Sequence, residues 1–157
     1  MTAPTTTGTD RIERQVFIRA PRSRVWQALA DAEEFGDWFG VALKGQRFAA
    51  GQRAHGHITY PGYEHLRFEI AVERVEPERR LSFRWHPAAI DATVDYAAEP
   101  TTLVVFTLEP KEGGTLLRVV ESGFDALPPE RREAAFRLNS GGWAQQMNNI
   151  ARHVDAA

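Results

Sequence analysis

A chain of 157 residues, 43% hydrophobic and with a net charge of −2, has the length of one domain and enough apolar content to bury a core. Its 17 arginines and two lysines are interspersed with acidic residues, which argues against a nucleic-acid partner; the absence of cysteine removes disulfides, thiolate zinc sites, cysteine nucleophiles and cysteine-ligated iron–sulfur clusters together. No apolar run approaches the ~18 residues that a membrane span needs, and "MTAPTTTGTD" has no basic, apolar signal pattern, so the expectation is a cytoplasmic protein without membrane insertion.

Residues 1–10 are expected to form a disordered tail, and residues 11–157 a single domain. In "RIERQVFIRA", Val16 and Ile18 fall on one face of a strand and Phe17 on the other. Pro21 suits a helix start, and "PRSRVWQALA" continues with Val25, Trp26 and Leu29 at helical spacing. Asp31 followed three residues later by Glu34 has the form of a capping box, which predicts a second short helix over "DAEEFGDWFG" ending at Gly40.

From there the period changes to two. "HLRFEIAV" places Leu66, Phe68, Ile70 and Val72 on one face and Arg67, Glu69 and Glu73 on the other, the pattern of a strand with one wet side. "RRLSFRW" repeats it with Leu81, Phe83 and Trp85 inward and Arg84 outward. "TTLVVFTLEP" and "GTLLRVVESGF", separated by "KEGG", read as a hairpin in which Leu117, Val119 and Glu121 face inward. Weaker patterns over "VALKGQRF" and "RAHGHITY" bring the expected total to about seven strands. The long connection "HPAAIDATVDYAAEP" is expected to be a flap between two of them.

The segment "FRLNSGGWAQQMNNIARHV" carries apolar residues at Phe136, Trp143, Met147, Ile150 and Val154, in one helical phase across Gly141 and Gly142. One long helix is therefore expected, although each glycine costs about 1 kcal/mol relative to alanine. At 100° per residue Asn139 and Gln146 lie at one margin of the stripe and Ser140 at the other, while Gly142 sits on a flank. Glycines there would relieve crowding or permit a bend beside Trp143, and a cavity wall is the functional reason for them. An antiparallel sheet with one apolar face needs a cover, and this helix is the only element long enough. The fold class is α+β: a curved antiparallel sheet wrapped around a long C-terminal helix, with two short helices after the first strand and a small cavity between sheet and helix.

"VFIRAPRSRVWQALADAEEFGDWF", "ESGF" and "GGWAQQMNNIARHV" resemble the START-like (SRPBCC, Bet v 1-like) superfamily, in the branch similar to the C-terminal domain of the activator of Hsp90 ATPase. The resemblance covers roughly residues 11–155 and implies a helix-grip fold with a hydrophobic cavity. Relatives include lipid carriers, hormone receptors, aromatase/cyclases and co-chaperones, so the fold leaves the activity open. The eukaryotic Hsp90 activator carries a further N-terminal domain, whereas about ten residues precede the first strand here, which argues against direct Hsp90 activation. A vanillate O-demethylase activity, a label some relatives carry, would need flavin, nicotinamide and iron–sulfur machinery for which this sequence has neither cysteines nor a GxGxxG loop.

Candidate ligand-binding residues are Trp38, Phe39, Tyr60, Phe68, Trp85, Phe106, Glu121, Asn139, Trp143, Gln146 and Met147, with the aromatics favouring an aromatic or lipid-like ligand. Glu121 is the weak catalytic candidate: an inward carboxylate must be paired, hydrogen-bonded or near a cavity mouth, and could act as a general acid or base. The alternative is a strand-end glutamate satisfied by backbone groups or an arginine. His55 and His57 in "HGH" share a face but are too few for a metal site and read as surface residues; His65, His86 and His153 are solitary. No metal and no cofactor is expected. Three functions follow: binding of a small hydrophobic or aromatic molecule, a cyclase or hydrolase using the same cavity, and a chaperone-interaction module presenting the outer face with Arg67, Glu69, Glu73, Arg84 and Arg118.

Overall fold

A computed structural model describes residues 9–87 and 96–156. The elements, in chain order, are β1 (Arg11–Ile18), α1 (Arg22–Ala30), α2 (Ala32–Phe39), β2 (Arg53–His57), β3 (Arg67–Glu76), β4 (Arg80–Trp85), β5 (Thr102–Lys111), β6 (Gly114–Ser122) and α3 (Pro129–Ala156). The strands form one antiparallel sheet in the order β1-β6-β5-β4-β3-β2, so the first strand closes one edge beside the last and the chain walks back to the other edge. The inner face buries the alternating residues read from the sequence, among them Phe68, Ile70, Val72, Leu81, Phe83, Val104, Phe106, Leu117 and Val119, and α3 lies against it through Trp143, Met147, Ile150 and Val154.

The sheet has six strands, not about seven. The segment "VALKGQRF" meets the β2 end through an isolated bridge, Val41 to Ile58, and a backbone bond from Ala42 N–H to the His57 carbonyl at 2.9 Å, and its Gln46 N–H turns back to the Leu43 carbonyl at 3.1 Å. It turns away at Gly45, whose φ of +82° suits a glycine, and buries Val41, Leu43 and Phe48 as pegs into the core. Its alternating apolar pattern is satisfied without a ladder, which is why period two misled there. The Gln46 side chain then pairs with the main chain of His55, accepting from its N–H at 2.8 Å and donating to its carbonyl at 2.5 Å, which covers part of the β2 edge. The close approach needs Gly56, because a Cβ there would stand 2.0 Å from the Ala42 carbonyl oxygen.

The local helix signals behave as their chemistry requires. Pro21 stands just before α1, at the N-cap position. Asp31 caps α2 by accepting from Glu34 N–H at 2.9 Å, and Gly40 ends it in the left-handed conformation at φ +95°. The capping box stays half closed, because the Glu34 carboxylate goes elsewhere. It lies 2.6 Å from Arg24 Nη1 of α1 and accepts from His153 Nε2 of α3 at 2.8 Å, so one side chain joins three helices. Burial by itself raises this carboxyl, but the bond from His153 and the pairing with Arg24 outweigh it and hold the group below its ordinary 4.5.

α3 is one helix of 28 residues and continues through both glycines. A Cβ added at Gly141 or Gly142 would meet nothing within 4 Å, so neither relieves crowding against another element. Of the expected tail, residues 1–8 lie outside the described residues; Thr9 and Asp10 are tied to the chain after β6, with Asp10 Oδ1 accepting from Asp125 N–H at 3.0 Å and Thr9 donating to Asp125 at 2.7 Å. Residues 88–95 of the expected flap also lie outside the described residues. On their near sides, Arg131 at the start of α3 donates to Glu99 at 2.7 Å and stands 4.9 Å from the Tyr96 ring centroid. No described helix is long and apolar enough to cross a membrane.

Candidate functional site: an aromatic cleft over a buried carboxylate

Strand alternation carries Glu121 inward near the end of β6, opposite Ile12 of β1 and Val104 of β5, where the middle of α3 crosses. The residue is fully buried. Its two oxygens collect four hydrogen bonds: Oε2 accepts from Trp85 Nε1 at 2.7 Å and Thr102 Oγ1 at 2.5 Å, and Oε1 accepts from Asn139 Nδ2 at 2.9 Å and Trp143 Nε1 at 2.8 Å. Two indole N–H groups can only donate, which suits the acceptor-only carboxylate form of Glu121. Among the described residues no arginine, lysine or histidine pairs with it. Among the described residues neither the backbone nor an arginine satisfies it, as a strand-end glutamate would require; four neutral side chains from β4, β5 and α3 do so instead.

This arrangement fixes its neighbours. Trp85 ends β4 and pairs in register with Thr102 at the start of β5, so both donors reach the carboxylate from one side. Asn139 and Trp143, four residues apart on α3, reach it from the other. Both indole N–H vectors are therefore directed at Glu121, and the Asn139 amide must turn its nitrogen to the carboxylate and its carbonyl oxygen away from it.

Above these groups lies an open cleft of about 190 Å³ lined by Phe39, Trp85, Leu138, Asn139, Gly142, Trp143 and Gln146. The Trp85 and Trp143 rings are 5.8 Å apart and inclined at 31°, and Phe39 meets them edge-on at 6.2 and 6.1 Å. Gln146 ties the cleft to α2, donating from Nε2 to the Phe39 carbonyl at 3.0 Å and accepting from Asn149 at 2.9 Å. Gly142 leaves one wall bare, since a side chain there would project into open space.

Of the residues singled out in the sequence, Phe39, Trp85, Asn139, Trp143 and Gln146 meet at this cleft, and Glu121 lies beneath it. Phe68, Phe106 and Met147 are buried deeper and pack behind the wall, Phe68 at 6.0 Å from Trp85 and Phe106 at 5.6 Å from Trp143. Trp38 is buried against α1, where its Nε1 donates to the Ala28 carbonyl at 2.8 Å. Tyr60 stands apart, 47% exposed, with its ring over Gly40. Leu138, half-exposed at the rim, and Thr102 were not anticipated. Leu138 lies off the apolar stripe, and a threonine opening a strand carries no signal of a cross-strand carboxylate.

The remaining candidates separate by surroundings. His55 and His57 are exposed on β2, and among the described residues no three His, Cys, Asp or Glu side chains are grouped to hold a metal ion. The outer face of the sheet is self-paired: Arg84 to Glu73 at 2.8 Å, Arg53 to Glu69 at 3.3 Å and Arg118 to Glu13 at 3.3 Å, all solvent-exposed.

No curated protein matches the chain. Among solved structures it is similar to MLL2253 from Mesorhizobium loti, at 26% identity and a TM-score of 0.71, covering 94% of this chain and 98% of that one. It is also similar to DynU16, from the dynemicin biosynthetic locus, at 27% identity and a TM-score of 0.70; 93% of this chain matches 47% of that longer one. A protein from Arthrobacter aurescens shares the fold at a TM-score of 0.75 and 18% identity, covering 95% and 88% of the two chains. The family model described as Activator of Hsp90 ATPase homolog 1-like protein matches residues 19–155, and the chain belongs to that family, within the START-like (SRPBCC) fold.

Proposed function

We propose that this protein binds a small aromatic or hydrophobic molecule in the cleft between Trp85, Phe39 and the middle of α3. The observation that carries the reading is the pair of indoles held by one buried carboxylate at an open cleft, because it preorganises apolar walls at a place where α3 supplies no side chain at Gly142. A cleft of about 190 Å³ suits a ligand of about one substituted ring, given that a dry cavity of ~150 Å³ admits benzene. Burial of the ring supplies the affinity at roughly 25 cal/mol per Å² of apolar area, and Asn139 and Gln146 orient its polar end. The occurrence of DynU16 in a biosynthetic locus supports a small-molecule context for the fold.

Glu121 is assigned to positioning, not to acid–base chemistry. It does not line the cleft, and four donors already occupy its oxygens, whereas a general base must reach the proton it takes. The chaperone reading ranks below, since the charges of the outer face are already paired with one another.

The test is native mass spectrometry of protein from its own host, wild type beside Gly142→Leu. A leucine there fills the cleft from a position where nothing obstructs its Cβ, and it raises helix propensity. The expected result is a bound small molecule released from the wild type and absent from the variant. Equal occupancy of both would place the ligand elsewhere.

A further inference from the structure

The cleft is built from neutral and electron-rich groups, yet it stands directly over a negative charge. Among the described residues that line it there is no lysine, arginine or histidine. Among the described residues no arginine contacts the carboxylate: Arg14, on the inner side of β1 two residues from the Ile12 that faces Glu121, donates to the neutral Ser140 Oγ at 2.5 Å, and Arg131 is paired with Glu99. The Glu121 carboxylate thus takes its direct hydrogen bonds from neutral dipoles, and among the described residues no cation is in contact with it. The field of such a charge extends further through a low-dielectric interior than through water.

The two indoles relay that charge. Each presents its N–H to the carboxylate and lines the cleft, Trp85 half-buried and Trp143 only 2% exposed, so the hydrogen bond polarises a ring at the cleft and makes its π-face more electron-rich. Aromatic faces attract cations through their quadrupole, tryptophan most strongly. A ligand cation seated against Trp85 and Trp143 would gain from the ring faces and from Glu121 behind them, and the Asn139 carbonyl oxygen, turned away from the carboxylate, is a further acceptor. A ligand carboxylate would meet the same features with the opposite sign and would find no counter-charge.

We propose that the cleft selects by charge, taking small ligands that pair an apolar or aromatic body with a cationic nitrogen, of the substituted-ammonium class, and refusing carboxylates of the same size. This rests on the reading of the cleft as a small-molecule site, and it names the class of molecule. Glu121 acts here as a specificity-determining residue through the indoles, without touching the ligand.

Three probes separate the alternatives: phenyltrimethylammonium, its uncharged isostere tert-butylbenzene, and the smaller, planar anion benzoate, each titrated against the full chain by tryptophan fluorescence and calorimetry. The expected order is the cation about tenfold tighter than the isostere, the scale of a partly desolvated cation–π contact, with benzoate failing to saturate. Trp85→Phe keeps an aromatic wall but weakens the ring quadrupole and removes one N–H; it should reduce the ratio of cation to tert-butylbenzene affinity several-fold. Glu121→Gln, where it folds, should move the cation-to-isostere ratio towards one. If tert-butylbenzene binds as tightly as the cation, or benzoate competes, charge selection is wrong and the small-molecule reading stands. If none of the three binds, the site reading fails and the charge inference with it.

Discussion

Glu121 and Glu34 are both shielded carboxylates beside α3, and they do different work because of what surrounds them. Glu34 sits where three helices meet and takes two nitrogen partners, Arg24 at 2.6 Å and His153 at 2.8 Å, so it acts as a staple that registers α1 and α2 on α3. Among the described residues Glu121 has four neutral donors and no cation in contact. Charge at Glu34 is paired with a cation, whereas the carboxylate of Glu121 is held by neutral dipoles that reach it from the walls of the cleft. The contrast teaches that a buried acid has to be read through its donors: an ion pair points to assembly of the fold, and a set of neutral donors aimed from the walls of a cleft points to organisation of a site.

The comparison breaks most sharply at Glu121. Glu121→Leu should destabilise the protein by about 3–5 kcal/mol, because the Trp143 and Trp85 N–H groups, Asn139 and Thr102 all lose their acceptor at once. Chemical denaturation measures this, and a loss under about 1 kcal/mol would show that the donors find other partners and that the carboxylate does not organise the cleft. Near-ultraviolet circular dichroism of the variant should also change, since two indoles lose their fixed orientation.

Glu34→Gln should cost less, about 1–2 kcal/mol at neutral pH, the scale of hydrogen bonds to a charged group. It should also alter the pH dependence. The folded carboxyl of Glu34 titrates below the 4.5 of a free glutamate, so its stabilisation is complete above that pH and is lost as pH falls through the lower folded value. The gap in unfolding free energy between wild type and Glu34→Gln should therefore close on acidification. A gap that stays constant from pH 7 to pH 3 would mean that the staple does not depend on its charge.

The smallest effect is stabilising. Gly141→Ala and Gly142→Ala should each raise stability by about 0.5–1 kcal/mol through helix propensity, because neither Cβ meets an obstacle. Only Gly142 lines the cleft, so ligand affinity should fall in Gly142→Ala and hold in Gly141→Ala. Equal affinity in both variants would remove α3 from the binding wall.

Much of the fold was legible in local pattern. The inward rows of β3, β4, β5 and β6, the Asp31 and Gly40 boundaries of α2, the "KEGG" hairpin and the continuity of α3 follow from period, capping and turn chemistry, which act over a few residues. The row over residues 41–48 failed because burying Val41, Leu43 and Phe48 needs alternation but no ladder partner. At the site, strand parity placed Glu121 inward, and helical angles placed Asn139 and Gln146 on one margin.

What residue pattern determined by itself, then, is which face each element hides, since hydrophobic burial depends on spacing along the chain. What only the tertiary structure decided is who meets whom: that Trp85, Thr102, Asn139 and Trp143, spread over 59 residues of chain between the first and the last, converge on one carboxylate within 2.9 Å, and that Glu34 leaves its own cap for a histidine 119 positions away. Hydrogen bonds are short-ranged and directional, so their partners exist only once sheet register and helix docking have brought distant segments together.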